Sequence, residues 1–268
     1  MKKNSLVAKI YLAVILIVTY VPILLTVFYS FNESKLTVEF TGFSLKWYRE
    51  LLRDRDLMEA LRNSLVLAVL CCLLSVIIGT LGAFGMQKVK CRANTFIEYI
   101  STIPIMIPEI ILGMVFLAVF SFLGMHFGMT TLVLAHTTFC VPYIFMQVKA
   151  RLYGMDKSLE EAARDLGASP VRSFFDITLP LILPAVFSGM LLSFAMSFDD
   201  VVISIFVTGP KVNTLPIKIY TKMKTGVTPE INALAFVMLV VTILLLAAAW
   251  LAGKAGGRGA RQKKTEIR

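Results

Sequence analysis

The chain is poor in charge. Only 16% of its 268 residues are Asp, Glu, Lys or Arg, and 57% are apolar, where a soluble domain has about a quarter charged and just under half apolar. Acids are the scarcer sign, 17 against 27 Lys and Arg, which leaves a formal balance of +10. There are four cysteines and two histidines, with no CxxC or Cys/His spacing of the kind that holds a metal. Cys71, Cys72, Cys91 and Cys140 read as small hydrophobes, and His126 and His136 as packing or interfacial residues rather than proton carriers. No GxxxxGK[ST] occurs to cradle ATP phosphates, and no GxSxG, HExxH or intramembrane Ser/His pairing offers a catalytic grouping. These shortages exclude a disordered chain, a disulfide scaffold and a metal module. They also argue against an enzyme, and energy for any work must come from a partner.

What the chain has instead is long apolar runs. A membrane span needs about 20 apolar residues. Six stretches approach that length: 10–31, 63–86, 99–123, 130–148, 181–207 and 231–252. Lys2, Lys3 and Lys9 precede the first, but no small-x-small cleavage site follows it, so it reads as a retained helix and not a signal peptide. The fold class is therefore an all-α integral membrane protein with six transmembrane helices in a single domain over 1–268. With the N-terminus inside, 17 of the 27 basic residues fall on the cytoplasmic side, six of them in the tail 253–268. That bias sets both termini in the cytoplasm. The positive balance is thus mostly topology facing membrane lipid, and nucleic acid is not a partner. In the first outer segment, Leu45, Tyr48, Leu51 and Leu52 make one helical stripe. It reads as a short interfacial helix with Trp47 and Tyr48 near the headgroups, the alternative being a docking surface for an extracellular partner.

The segment 149–180, between the fourth and fifth spans, is longer than a connection requires. Ser158-Leu-Glu-Glu161 has the form of a capping box. Leu159, Ala162, Ala163 and Leu166 follow at helical spacing as a small-residue stripe. Gly167 is suited to end that helix, and Ser169-Pro170 to cap and start another whose apolar face is Val171, Phe174, Phe175 and Thr178. An Ala-rich face permits close approach but buries too little apolar area to anchor in lipid. That favours a docking knob for a soluble partner over a connector lying on the membrane.

Glu161-Ala162-Ala163, three residues, Gly167, nine residues, then Ile177-Thr-Leu-Pro180 match the EAA signature at every fixed position. On this motif the chain resembles the ABC importer permeases. The stretches Phe43-Ser-Leu-Lys-Trp-Tyr48, Ser197-Phe-Asp-Asp-Val-Val-Ile-Ser204, Phe206-Val-Thr-Gly-Pro210, Leu215-Pro-Ile-Lys-Ile-Tyr220 and Thr228-Pro-Glu-Ile-Asn-Ala-Leu234 are similar to the spermidine/putrescine branch, in its C-type subunit. The resemblance implies a type I importer permease fold with a cytoplasmic coupling helix, set in a bacterial inner membrane. It implies ATPase coupling through Ser158, Leu159, Glu161, Ala162, Ala163, Leu166 and Gly167. The implied partners are a sister permease, two ATPase subunits, an extracytoplasmic binding protein and a polyamine. No cofactor belongs to this chain, because ATP and Mg would be bound by the ATPase.

Three acids lie inside apolar stretches, where an ionisable group is costly and usually faces a cavity or a partner. Asp199 and Asp200 are adjacent late in the fifth span, with no Lys or Arg in the spans to pair with them. Glu109 follows Pro104 and Pro108, and such interruptions tend to line cavities. A carboxylate replaces the water that an ammonium gives up, so Asp199, Asp200 and Glu109 are expected in a cation pathway, with Phe198 as an aromatic neighbour. A charge pair between the two aspartates and the sister permease stays open. So do a permease for ferric iron, thiamine or sulfate, and an ion-coupled secondary transporter.

Overall fold

The computed structural model describes residues 6–34, 39–89, 92–156, 158–224, 226, 229–244 and 247. Among them every regular element is a helix, apart from one isolated antiparallel bridge between Asn32 and Phe43. In chain order these are α1 (Leu6–Tyr29), α2 (Lys46–Arg53), α3 (Arg55–Lys88), α4 (Asn94–Met106), α5 (Glu109–Phe122), α6 (Met129–Tyr153), α7 (Ser158–Asp165) and α8 (Pro170–Ser173). A π-helical turn, Phe174–Thr178, joins α8 to α9 (Leu179–Asp199); α10 (Val202–Val207), α11 (Leu215–Lys224) and α12 (Pro229–Leu244) follow. Four segments are long and apolar enough to cross a membrane: Val7–Tyr29, Arg55–Lys88, Met129–Tyr153 and Pro170–Asp199. The bent pair α4–α5 makes a fifth if counted as one span. The expected sixth, 231–252, begins in α12 and runs into residues outside those described, as do the tail 253–268 and Cys91.

Two expected spans are broken. The third turns by 109° between α4 and α5. The break falls at Ile107, whose ψ of 132° is extended, because the ring of the following Pro108 disfavours the helical region for the residue before it. The fifth stops at Asp199; Asp200 is extended at ψ 123°, and α10 starts afresh at Val202. A short acidic side chain competes for backbone amides and so favours a helix start over a helix interior.

The described residues divide into two compact units, one within 1–59 with 218–244 and one within 60–217. In the first, Asn32 organises the turn after α1. Its side chain donates to Glu39 O (2.8 Å) and accepts from Thr41 N (2.9 Å), and its carbonyl accepts from Trp47 Nε1 (2.6 Å). Trp47 and Leu51 are the buried residues of α2, while Leu52 is 74% exposed. Of the expected stripe, Leu51 is buried and Tyr48 half-buried, while Leu45 and Leu52 are exposed; Trp47 joins the inward face because its indole N–H has a backbone partner there. Phe31 stacks on Phe43 (5.1 Å) and meets Phe236 edge-on (5.8 Å).

In the second unit α6 is the central helix. Leu132, Ala135, Phe139 and Cys140 pack with Leu67, Cys71 and Cys72 of α3, Leu112, Phe116 and Phe120 of α5, and Ile203 and Val207 of α10. Further along, Ile144, Phe145, Val148 and Leu152 pack with Ala83, Ile182 and Val186. Close approach is by glycine on both sides of α6. A Cβ at Gly79 would stand 3.0 Å from Phe145 N, and one at Gly189 3.0 Å from Ile144 Cα. Lipid tails are as apolar as Leu, so helices in a bilayer gain mainly from such backbone-near van der Waals contact.

Candidate functional site

The break between α9 and α10 assembles a buried polar cluster on α6. Asp200 caps α10: Oδ1 accepts from Ile203 N (3.2 Å) and Oδ2 from Ser204 N (2.8 Å). Asp200 Oδ2 also lies 3.4 Å from His136 Nε2, with side-chain exposures of 6% and 0%. His136 Nδ1 meets Ser197 Oγ at 2.8 Å, and Nε2 meets Ser204 Oγ at 3.1 Å. The ring thus has a polar partner at each nitrogen, with Nε2 lying between Ser204 and Asp200. The expected pair of unpartnered aspartates is therefore not found: Asp200 is bonded to two amides and faces an imidazole.

Asp199 differs from its neighbour. It is exposed and forms the last residue of α9. A helix C-terminus carries the negative end of the peptide dipoles, and Asp200 adds a second like charge beside it. Two negative sources thus converge on one open carboxylate, a setting that attracts a cation. Phe198 is buried at 3% exposure and stacks on Phe194 (5.8 Å), so its face is closed to a cation in this structure. Glu109 is exposed and opens α5 at the bend, within electrostatic range of the Tyr143 hydroxyl on α6. His126 is exposed, ahead of α6.

At the opposite end of α6, the EAA residues form α7. The helix begins at Ser158, whose amide donates to Asp156 Oδ1 (3.0 Å), so an aspartate two residues upstream caps it in place of the expected Ser158–Glu161 box. Gly167 ends it as expected, with φ at 84° and Ala168 N reaching back to Ala163 O (3.0 Å), the wrap of a Schellman motif. Of the small-residue stripe, Ala163 is buried, Leu159 and Ala162 are exposed and Leu166 is 90% exposed. Glu161 is exposed too, while Glu160 pairs with Lys88 at the end of α3. Ser169 Oγ accepts from Arg172 N (3.2 Å) to cap α8. Beyond it Ser173 and Thr178 are buried and Val171 and Phe175 exposed. The π turn carries one extra residue per turn and so shifts the expected face.

His136, Ser204 and Glu160 were not singled out as functional from the sequence. The signal for the first two was the spacing of Ser197, Asp200 and Ser204, which puts three polar groups on one side of a segment that then needs a polar partner across the interface. Among the described residues no three His, Cys, Asp or Glu side chains are arranged to hold a metal ion.

Known proteins place this arrangement. The family described as "Binding-protein-dependent transport system inner membrane component" matches residues 73–254. The chain belongs to that family. Within it, the chain is 39% identical over 240 residues to the "Spermidine/putrescine transport system permease protein PotC" of Escherichia coli (strain K12), covering 90% of this chain and 91% of that protein. It is 43% identical over 227 residues to the "Putrescine transport system permease protein PotI" of the same strain, covering 82% and 81%. A solved bacterial ABC transporter involved in import of the acidic polysaccharide alginate has a chain that superposes with a TM-score of 0.75 at 15% identity, over 94% of this chain and 98% of that one. As an inner membrane component of a binding-protein-dependent system, the chain has an all-helical membrane permease fold.

Proposed function

We propose that this chain is the transmembrane permease subunit of an ATP-driven polyamine importer, forming half of the pathway. The observation that carries the proposal is relatedness over nine-tenths of the chain to a permease of spermidine and putrescine transport. Local geometry supports it at both ends of the second unit. At one end α7 turns Glu161 and Ala162 outward, with Leu166 exposed just beyond it, a surface suited to a cleft on a separate ATPase. At the other end Asp199 stands open at a helix terminus, where an ammonium group would meet negative charge from three sources.

In this reading the chain crosses the membrane six times, with α4 and α5 as one bent crossing and α12 as the start of the last, and both termini are cytoplasmic. The chain is not itself catalytic. Two ATPase subunits hold ATP and Mg, and their closure displaces α7. A sister permease completes the pathway, and an extracytoplasmic binding protein delivers the polyamine to Asp199 and Glu109. Asp200 serves the framework and Asp199 the substrate. The requirement for open carboxylates favours a cation over sulfate among the other small solutes.

The test is Glu161→Lys in the full complex. Expected is loss of ATPase co-purification and of spermidine uptake, with normal membrane insertion. Uptake at the wild-type rate would overturn the docking assignment.

A further inference from the structure

A helix of eight residues such as α7 is too short to be stable alone, so something must hold it at a fixed angle. One contact to α7 comes from the last turn and a half of α3, and two more from the same place reach the segments on either side of it. Lys88 Nζ pairs with Glu160 Oε1. The ring of Phe84 lies 4.6 Å from that of Phe174, at the start of the π turn. Gln87 Nε2 donates to Leu152 O at 3.1 Å, at the end of α6. Lys88 also lies over the face of Phe84 at 5.5 Å, which fixes its direction.

The two glutamates of α7 are thereby divided. Neighbours on a helix point about 100° apart. Glu160 turns inward and is 15% exposed at its side chain, while Glu161 turns outward. Resting on the reading of α7 as the ATPase-docking helix, we propose that the Lys88–Glu160 ion pair is the positioning contact that ties α7 to α3, so that a displacement of α7 is passed to the spans. Glu161 and the apolar stripe take the push, and Glu160 hands it on. From α3 the route is backbone-near: Gly79 packs on Phe145 and Ile144 of α6, and Ile144 packs on Gly189 of α9, whose far end is Asp199. An ion pair suits this task because it keeps two elements together while their angle changes, whereas Ala163, the buried residue of α7, has too little side chain to do so.

The experiment measures spermidine uptake and ATP hydrolysis together in proteoliposomes holding this chain, its sister permease and the ATPase subunits. Glu160→Gln and Lys88→Met are each expected to lower spermidine moved per ATP about fivefold or more. The ATPase subunits should still co-purify and hydrolysis should continue. The swap Lys88→Glu with Glu160→Lys is expected to restore at least half of the lost coupling. Three results would overturn the proposal: an unchanged ratio in both single variants, release of the ATPase subunits by Glu160→Gln, or a swap that fails to rescue. The underlying docking assignment fails separately, through persistent uptake in Glu161→Lys.

Discussion

His136 Nε2 stands 3.4 Å from Asp200 Oδ2, with both side chains shut away from solvent. The pair joins α6 to the point where α9 gives way to α10. It explains how an acid is tolerated in an apolar stretch without a Lys or Arg: two amides and an imidazole share its charge.

Removing the ring should therefore be costly. His136→Ala leaves the Asp200 carboxylate buried without its side-chain partner, and a buried group short of a hydrogen bond costs about 1–3 kcal/mol, more when it is charged. Thermal melting of the purified complex would show it. Asp200→Asn should cost less, because an amide oxygen still accepts from the start of α10. Equal melting of His136→Ala and wild type would remove the pair from the framework.

Asp199 and Asp200 should separate in a transport assay. A hydrogen bond to a charged group is worth roughly 1.5–3 kcal/mol against about 1 for a neutral one. Asp199→Asn is thus expected to raise the spermidine concentration for half-maximal uptake about tenfold, with assembly and melting unchanged. Asp200→Asn should instead lower complex yield and melting temperature. If both variants affect only uptake, the division of labour between the two acids is wrong.

Glycine substitutions provide a packing test. At Gly209 a Cβ would lie 2.0 Å from Phe127 O, a backbone atom that cannot swing aside. Gly209→Ala should destabilise by about 1–3 kcal/mol or more through overpacking. At Gly85, inside α3, a Cβ meets nothing within 4 Å, so Gly85→Ala should be neutral or stabilise by about 0.5–1 kcal/mol. Melting of the two purified variants decides it.

The first unit carries an ion cluster with a defined pH response. Lys222 Nζ lies 3.2 Å from Asp54 Oδ2 and 2.6 Å from Glu230 Oε1. Burial pushes the Asp54 carboxyl up, but the Leu57 amide and the Lys222 ammonium outweigh it and hold it below its ordinary 3.8. Burial pushes Lys222 down, but Glu230 and Asp54 outweigh it and hold it above its ordinary 10.5. A lowered acid stabilises the fold above its ordinary value and loses that as pH falls through the lowered one; a raised lysine stabilises below its ordinary value and loses that as pH rises through the raised one. The cluster should be intact between those two limits and should weaken on acidification below the first. Lys222→Met should lower melting at neutral pH by an amount that shrinks in acid. A difference independent of pH would mean the cluster contributes nothing.

Much of the fold was legible because the bilayer imposes a simple rule on composition. Stretches 10–31, 63–86 and 130–148 correspond to α1, α3 and α6, and Gly167 ends α7 in the left-handed conformation expected of it. Elsewhere hydropathy could not see a break. Stretch 181–207 stays apolar straight through Asp199 and Asp200, yet the chain leaves the helix there, because a capping bond at Asp200 depends on where Ser204 and His136 sit in space. The inward face of α2 gains Trp47 for a similar reason: its indole is drawn in by the carbonyl of Asn32, fifteen residues earlier.

By itself the sequence determined what the local chain and its solvent dictate: helices, because no other short-range structure satisfies the backbone in lipid, and family membership, through the spacing of the EAA motif. Only the tertiary structure decided which of two neighbouring acids is open and which is bound, and which of two neighbouring glutamates is exposed and which meets Lys88. Adjacent residues share the same composition, hydropathy and charge. What separates Asp199 from Asp200, and Glu160 from Glu161, is the side of the helix or break on which each emerges, and what α6 and α3 present there.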